Sequence, residues 1–302
     1  MSLARAALGR GRELPDAVAR SALLSLTRAR RRRLRETTFI AVTGSAGKTT
    51  TCRLLAAALA PGGETVLTLG RWNQTRQLAR AVRGAGRARF CVLELQAFAP
   101  GSLDARLRAY EPDVGVVTTV GADHLSRFGS RSAVAEEKSK LVAALPPTGV
   151  AVLNADDAEV RSMAELSRAR VVLFGRSPDA EFRAEDVRAA FPDRLAFTLV
   201  TGGRSVAVQT RLCGEVWIPA VLGAVATAAT LGVGLERVVE AIALVEPSPF
   251  RLAPVVAPSG ITFLRDDWKA SAWTVRPALE TLASAAGRRR IAVLGGISDD
   301  RR

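Results

Sequence analysis

The clearest chemistry in the sequence lies in Thr43-Gly-Ser-Ala-Gly-Lys-Thr-Thr50, which follows the apolar run Phe39–Thr43 and opens a helix-forming segment. Glycines let the backbone wrap closely, so that successive N–H groups along Gly44, Ser45, Ala46, Gly47, Lys48, Thr49 and Thr50 can face a phosphate. The positive end of the following helix adds to the attraction. Lys48 is expected to reach the β- and γ-phosphates of a nucleotide, and the Thr49 hydroxyl to ligate Mg²⁺. The longer spacing G-x-x-x-x-G-K-[ST] asks for glycine where Val42 stands, so the match is to the shorter G-x-x-G-K-T-T.

His124 is the sole histidine. It follows the expected strand Val114–Val120, and Glu94 ends another, Phe90-Cys-Val-Leu-Glu94. The carboxyl ends of parallel strands are where open α/β sheets place ligands, so both are candidate metal ligands beside the phosphate loop. Lys138 and Lys140 follow on a helix. Two residues apart, they point to different faces, so at most one of them faces the site. By spacing alone, two surface lysines beside Glu136 and Glu137 is the favoured reading.

These residues need a frame, and the pattern supplies one. From Thr38 short β-rich runs alternate with helical stretches. Phe39–Thr43, Thr65–Leu69, Arg89–Leu95, Val114–Val120, Val150–Leu153 and Val171–Phe174 read as strands. Thr49–Ala60, Gln74–Arg83, Ser102–Tyr110 and Arg131–Leu145 read as helices. The alternation predicts an α/β fold, with a phosphate-loop, mostly parallel sheet covered by helices on both faces. Ala180–Gln209 is less regular and fits a small antiparallel piece. Helices are expected at Ala220–Leu231 and Leu235–Val245, then a linker, Glu246-Pro-Ser-Pro-Phe250. A strand–helix–strand follows at Ile261–Arg265, Ala272–Ala286 and Arg290–Leu294, read as the beginning of a second, Rossmann-like α/β domain. The expected division is a leader helix at 1–37, a nucleotide-binding domain at 38–246 and the start of a further domain at 251–302.

Composition narrows the class. The 48% hydrophobic content can bury a large core, and 24% charged residues is ordinary for a globular chain. The net charge of +14 comes almost entirely from arginine, since the lysines are only Lys48, Lys138, Lys140 and Lys269. The arginines are scattered along the chain and aromatics are few, which argues against a nucleic-acid partner. Arg28–Arg35 is a basic run at the end of the leader helix, read as a solvated face or as a peripheral membrane contact. The uncharged stretch Val216–Leu235 is long enough to span a bilayer, but its proline, glycines and alanines suit a buried core helix better. Cys52, Cys91 and Cys213 form no metal or disulfide pattern and read as reduced, buried thiols of a cytoplasmic protein.

Taken together, the motifs resemble the Mur ligase family, whose members use ATP to join a carboxylate to an amine. The resemblance runs from about Phe39 to Asp299. Thr43–Thr51 is similar to the family's T-G-T-x-G-K-T-[ST]-T. Glu94-Leu-Gln-Ala-Phe-Ala-Pro-Gly101 resembles the E-x-G-A-x-x-P-G of the branch that adds D-alanyl-D-alanine. The segment Pro112–Leu125 looks like the family's strand and metal histidine. Glu137-Lys138 keeps the spacing to a lysine that is carbamylated in several members, and Leu153-Asn-Ala-Asp-Asp157 matches a further segment. Arg251 resembles the arginine opening the third domain, and Asp267-Trp-Lys-Ala-Ser271 that domain's D-x-K-A-[ST]. The H-N-x-x-N that contacts adenine in many members is replaced by Trp217-Ile-Pro-Ala220. The short leader resembles the layout of folylpolyglutamate synthase more than that of the uridine-nucleotide-binding ligases.

The resemblance implies an ATP- and Mg²⁺-dependent ligase that forms an amide through an acyl phosphate, in peptidoglycan precursor synthesis. Its partners would be carboxylate and amine substrates. Lys48, Glu94, His124 and a carbamylated Lys138 would form the catalytic centre, with Thr49, Glu94, His124 and Lys138 about the metal. Asn154, Arg251, Asp267 and Lys269 would contact nucleotide, with domain closure bringing in the last two. Asn73, in Trp72-Asn-Gln-Thr75, would contact acyl substrate or metal. The alternatives are a nucleotide-binding module of the same fold without ligase activity, and a ligase like folylpolyglutamate synthase.

Overall fold

The short β-branched runs form strands buried on both faces, as a helix-covered parallel sheet requires. In the computed structural model, which describes residues 16–69, 74–122 and 124–297, these are β1 (Thr38–Thr43), β2 (Thr65–Thr68), β3 (Phe90–Glu94), β4 (Val114–Val117), β5 (Val150–Asn154) and β6 (Arg170–Gly175). Their spatial order is β2-β3-β1-β4-β5-β6, and every pair is parallel. The chain runs outward from β1 on one side through β2 and β3 and then returns to place β4 on the other. The carboxyl end of β1 is therefore the point where the order reverses, the position at which such sheets bind ligands.

Three more strands, β7 (Phe182–Arg188), β8 (Ala196–Thr201) and β9 (Arg204–Gln209), continue the same sheet. β7 pairs in parallel with β6, while β8 and β9 are antiparallel. The tight β8–β9 turn uses Gly202 and Gly203, both at positive φ, which suits a two-residue hairpin. The irregular region expected at 180–209 is thus part of one nine-stranded, mostly parallel sheet rather than a separate piece.

Two cores flank it. On one face α2 (Lys48–Leu59), α8 (Ile218–Thr230) and α9 (Leu235–Ala243) pack over Ile40, Val42, Val92, Val116 and Val152. α8 accounts for the uncharged stretch: ten of its residues are buried against α2 and β5 to β7. No helix among the described residues is long and apolar enough to cross a membrane. On the other face lie α3 (Gln74–Gly84), α4 (Asp104–Tyr110), α6 (Arg131–Ala143) and α7 (Ala158–Ser162). The three cysteines are free and buried, and burial pushes the Cys52 thiol well above its usual range.

The leader helix α1 (Asp16–Arg31) packs on α3 and α4. Its arginines are its anchors. Arg31 Nε donates to the Tyr110 carbonyl at 2.9 Å, and Nη2 donates to the Glu111 carbonyl and both Asp113 oxygens at 2.8 Å. Its guanidinium also lies 4.0 Å from the centre of the Phe39 ring. Arg28 and Arg32 both reach the Glu111 carboxylate. Arg31→Ala is expected to lower stability by about 1.5–3 kcal/mol, the range for hydrogen bonds to a charged group. Urea unfolding checks this, with limited proteolysis reporting release of α1; an unchanged midpoint would reject the anchor.

The last part departs from the expected strand–helix–strand. β10 (Ala253–Val256) and β11 (Thr262–Arg265) form an antiparallel hairpin, followed by α10 (Ala272–Ser284), capped by Ser271 and Thr274. β10 is short and contains Pro254, which hides it from a propensity reading. Arg290–Leu294 forms no strand. Ile291, Val293 and Leu294 are exposed, and no neighbouring strand is there to pair with them. The described residues therefore hold a hairpin and a helix at this end, not a second βαβ unit.

Candidate active site

The loop after β1 makes the turn its glycines allow. Gly44 and Gly47 have φ of 150° and 80°. A Cβ at Gly44 would overlap the Thr118 hydroxyl, so only glycine fits there. The loop is pinned to the end of β4. Ser45 N–H donates to the Thr119 carbonyl at 2.8 Å, and Gly121 N–H donates to Ser45 Oγ at 2.9 Å. α2 starts at Lys48 with no side chain capping it, so its first turn presents backbone N–H groups that the helix itself cannot satisfy. The Lys48 ammonium curls back over the loop and donates to the Gly44 carbonyl at 2.7 Å.

Register brings the acid to the loop. Val42 of β1 lies beside Glu94, the last residue of β3. Thr49 Oγ1 donates to Glu94 Oε2 at 2.9 Å, and Arg251 Nη2 donates to Thr49 Oγ1 at 3.2 Å. Residues from β3, α2 and the segment before β10 thus meet at one hydroxyl, across 202 positions of sequence between Thr49 and Arg251. A hydroxyl has one hydrogen to donate and two lone pairs. Glu94 takes the hydrogen and Arg251 one lone pair, which leaves the other directed elsewhere.

All three line a cavity of about 1500 Å³. His124 lines it too. This residue has a left-handed backbone (φ 54°) at the start of the short helix α5 (Leu125–Phe128), a conformation that histidine tolerates better than most. A Mg²⁺ ion typically takes one or two carboxylates plus substrate phosphates and keeps its waters. The Thr49–Glu94 pair beside His124 is an oxygen-rich set that fits that habit. Among the described residues no group of three or more His, Cys, Asp or Glu gathers as a self-sufficient metal cage.

The other expected site residues divide. Lys138 is 1% exposed and Lys140 is not its equivalent: Lys140 reaches Glu137 at 2.8 Å and Asp104 at 2.9 Å. The pair of surface lysines favoured by spacing is therefore replaced by one buried lysine and one in an ion-pair network. Lys138 lies behind the cavity wall rather than in it. Asn154 is buried, donates to the Thr118 carbonyl at 2.8 Å and accepts from Asp156 N–H at 3.0 Å, so it braces the ends of β4 and β5. Asp267 forms a two-point contact with Arg265, and neither it nor Lys269 lines the cavity; Trp268 between them does. Asn73 falls outside the described residues.

Sequence reasoning missed the cavity's charge. Among its described lining residues, six are arginines (20, 53, 76, 106, 127 and 251) against the single carboxylate of Glu94. They come from five helices and the segment before β10, so scatter along the chain becomes concentration in space. Arg106 is the most telling of them, at 5% exposure. Burial lowers its guanidinium to about 10, with Glu137 opposing the shift. A signal was present: Leu103, Leu107 and Tyr110 form the apolar stripe of α4, and Arg106 interrupts it at helical spacing.

Residues 42–228 match the family described as the Mur ligase middle domain. The chain belongs to the Mur ligase family. Over 269 residues this Mur ligase is 35% identical to the UDP-N-acetylmuramoyl-tripeptide–D-alanyl-D-alanine ligase of Mycobacterium tuberculosis (strain ATCC 25618 / H37Rv); the match covers 87% of this chain and 53% of that enzyme. The crystal structure of MurF from Acinetobacter baumannii superposes with a TM-score of 0.80 at 26% identity, covering 88% of this chain and 58% of that one. MurF of Thermotoga maritima, solved with ADP, has the same fold with a TM-score of 0.78 at 22% identity over 88% and 61% of the two chains. The chain spans about half the length of the curated relatives it matches.

Proposed function

We propose that this Mur ligase is an ATP- and Mg²⁺-dependent carboxylate–amine ligase, acting in the cytoplasm on a peptidoglycan precursor as the similar muramoyl-tripeptide ligases do. The observation that carries this reading is the meeting of Thr49, Glu94 and Arg251 beside the phosphate loop. Residues 38–246 would form the nucleotide-binding domain and 251–302 the start of the next, with Arg251 reaching between them.

The reaction is mainly positioning and charge neutralisation. The N–H groups at the start of α2 would cradle the nucleotide phosphates. Lys48 would swing from the Gly44 carbonyl to the phosphoryl group being transferred to the substrate carboxylate. Mg²⁺ would supply neutralisation of phosphate charge when bound. Glu94, the remaining lone pair of Thr49, and His124 would hold it. Arg251 would keep Thr49 oriented and add positive charge at the same point.

Lys138 would act from behind the wall as its carbamate, an anion that supports the metal side of the site. Lys138→Ala is expected to lose most turnover, and added formate or acetate to restore part of it by occupying the vacated space. Full activity in the variant would make Lys138 a buried structural lysine only.

Phosphate release from Mg-ATP tests the whole reading, with a panel of carboxylates offered together with amines that include D-alanyl-D-alanine. Release that needs both partners is the expected result. Nucleotide binding without pair-dependent release would favour a nucleotide-binding module, a reading to which the outward placement of Asp267 lends support.

A further inference from the structure

The phosphate loop occupies only one end of the cavity. The other end lies under α1 and α4, where the wall includes Ala19, Arg20, Leu24, Ser102 and Arg106. Arg106 is a buried cation held rigidly by one edge. Its Nε donates to the Ser102 carbonyl at 2.8 Å, its Nη2 donates to the same oxygen, and Phe98 stacks 5.3 Å from its Cζ. Ser102 is itself clamped. Its hydroxyl donates to Glu137 Oε1 at 3.2 Å, and that buried carboxylate also accepts from Gly101 and Leu103 N–H at 2.8 and 2.7 Å. Burial acts to raise the Glu137 carboxyl, but Lys140 and these two N–H groups outweigh it and hold it below its ordinary range. The acid is therefore committed to the loop and to Lys140.

The opposite edge of Arg106 is different. Nη1 is buried and has no hydrogen-bond partner among the described residues. A buried guanidinium with a whole donor pair unsatisfied is expensive, and native structures retain such a group where a ligand completes it. The guanidinium fork matches carboxylate and phosphate oxygens. Arg20 adds a second, exposed cation to the same wall from α1, a helix that α4 touches directly.

We infer that Arg106 and Arg20 form a second anion subsite, which holds a carboxylate or phosphate carried by the acid substrate at the end remote from its reacting carboxylate. The inference rests on the proposed ligase reading for which end of the substrate reacts. The acid this Mur ligase accepts is accordingly at least dianionic, and α1 is part of its specificity pocket rather than only a packed leader.

The test is calorimetric binding to the whole chain with Mg-ADP present. The probes are α,ω-alkanedicarboxylates from glutarate to sebacate, each against its own monoamide, and a parallel series of ω-phosphonoalkanoates. At the length that spans the cavity, the dianion should bind at least about tenfold more tightly than the monoamide, about 1.4 kcal/mol. Arg106→Gln should erase that preference and leave Mg-ADP affinity unchanged. Tighter binding in the phosphonate series would assign the subsite to a phosphate, and in the dicarboxylate series to a carboxylate. Arg20→Gln, at an exposed position, gives the same readout if Arg106→Gln does not fold, with a smaller loss. Equal affinity of dianion and monoamide at every length overturns the subsite, as does a preference that survives both substitutions. Failure of the wild-type chain to bind Mg-ADP would sink the nucleotide reading instead, and the dianion preference would still decide the subsite.

Discussion

Lys48→Ala is expected to cut pair-dependent phosphate release by about 10²–10³-fold or more, the range for removing one preorganised donor from a developing charge. The fold should survive. Lys48 contributes no buried apolar surface, and its Nζ contacts in the structure are the Gly44 and Ser45 carbonyls of its own loop. The loop itself is held by bonds that do not involve the ammonium, from Ser45 to Thr119 and Gly121. Circular dichroism and the urea midpoint should therefore match wild type while turnover disappears. Near-normal turnover would remove the phosphate loop from the mechanism.

Glu94→Ala should be the second most damaging change, with turnover down about 10²-fold or more, because charge stabilisation by a metal amounts to several kcal/mol. Its signature is the Mg²⁺ titration, which should shift to higher concentration. The physical reason is local. Glu94 is 3% exposed and ends β3 where the register sets it against β1, so its carboxylate cannot be replaced by a neighbour. Removing it also frees the Thr49 hydrogen, which then competes for the lone pair that a metal needs. Glu94→Gln separates the two effects, since the amide still accepts from Thr49 but carries no charge. An unchanged Mg²⁺ titration in both variants would reject Glu94 as a ligand.

Local pattern was enough for the fold's first half. Each strand from β1 to β6 is a run of β-branched residues buried on both faces, and each intervening helix has its own apolar stripe, so period and length announce them. The phosphate loop was legible for the same reason, being set by contiguous residues with a particular backbone need. β10 and Arg290–Leu294 were misread because strand formation there depends on a partner. Ala253–Val256 found one in Thr262–Arg265, and the more apolar run at 290–294 did not.

The sequence by itself determined the chemistry available: a loop that must wrap an anion, an acid at a strand end, a lone histidine, and the family these imply. Tertiary structure decided which groups meet. Lys138 is buried and Lys140 engaged, though they stand two positions apart, because a helix turns them to different surroundings. Asp267 and Trp268 are adjacent, yet one faces Arg265 and the other the cavity. Six arginines that look like a coding habit along the chain converge on one basin, because folding brings five helices and the segment before β10 to the same sheet edge. Residue type and local period are encoded within a few positions, whereas the position of a side chain beside a site is set by packing between elements far apart in the chain.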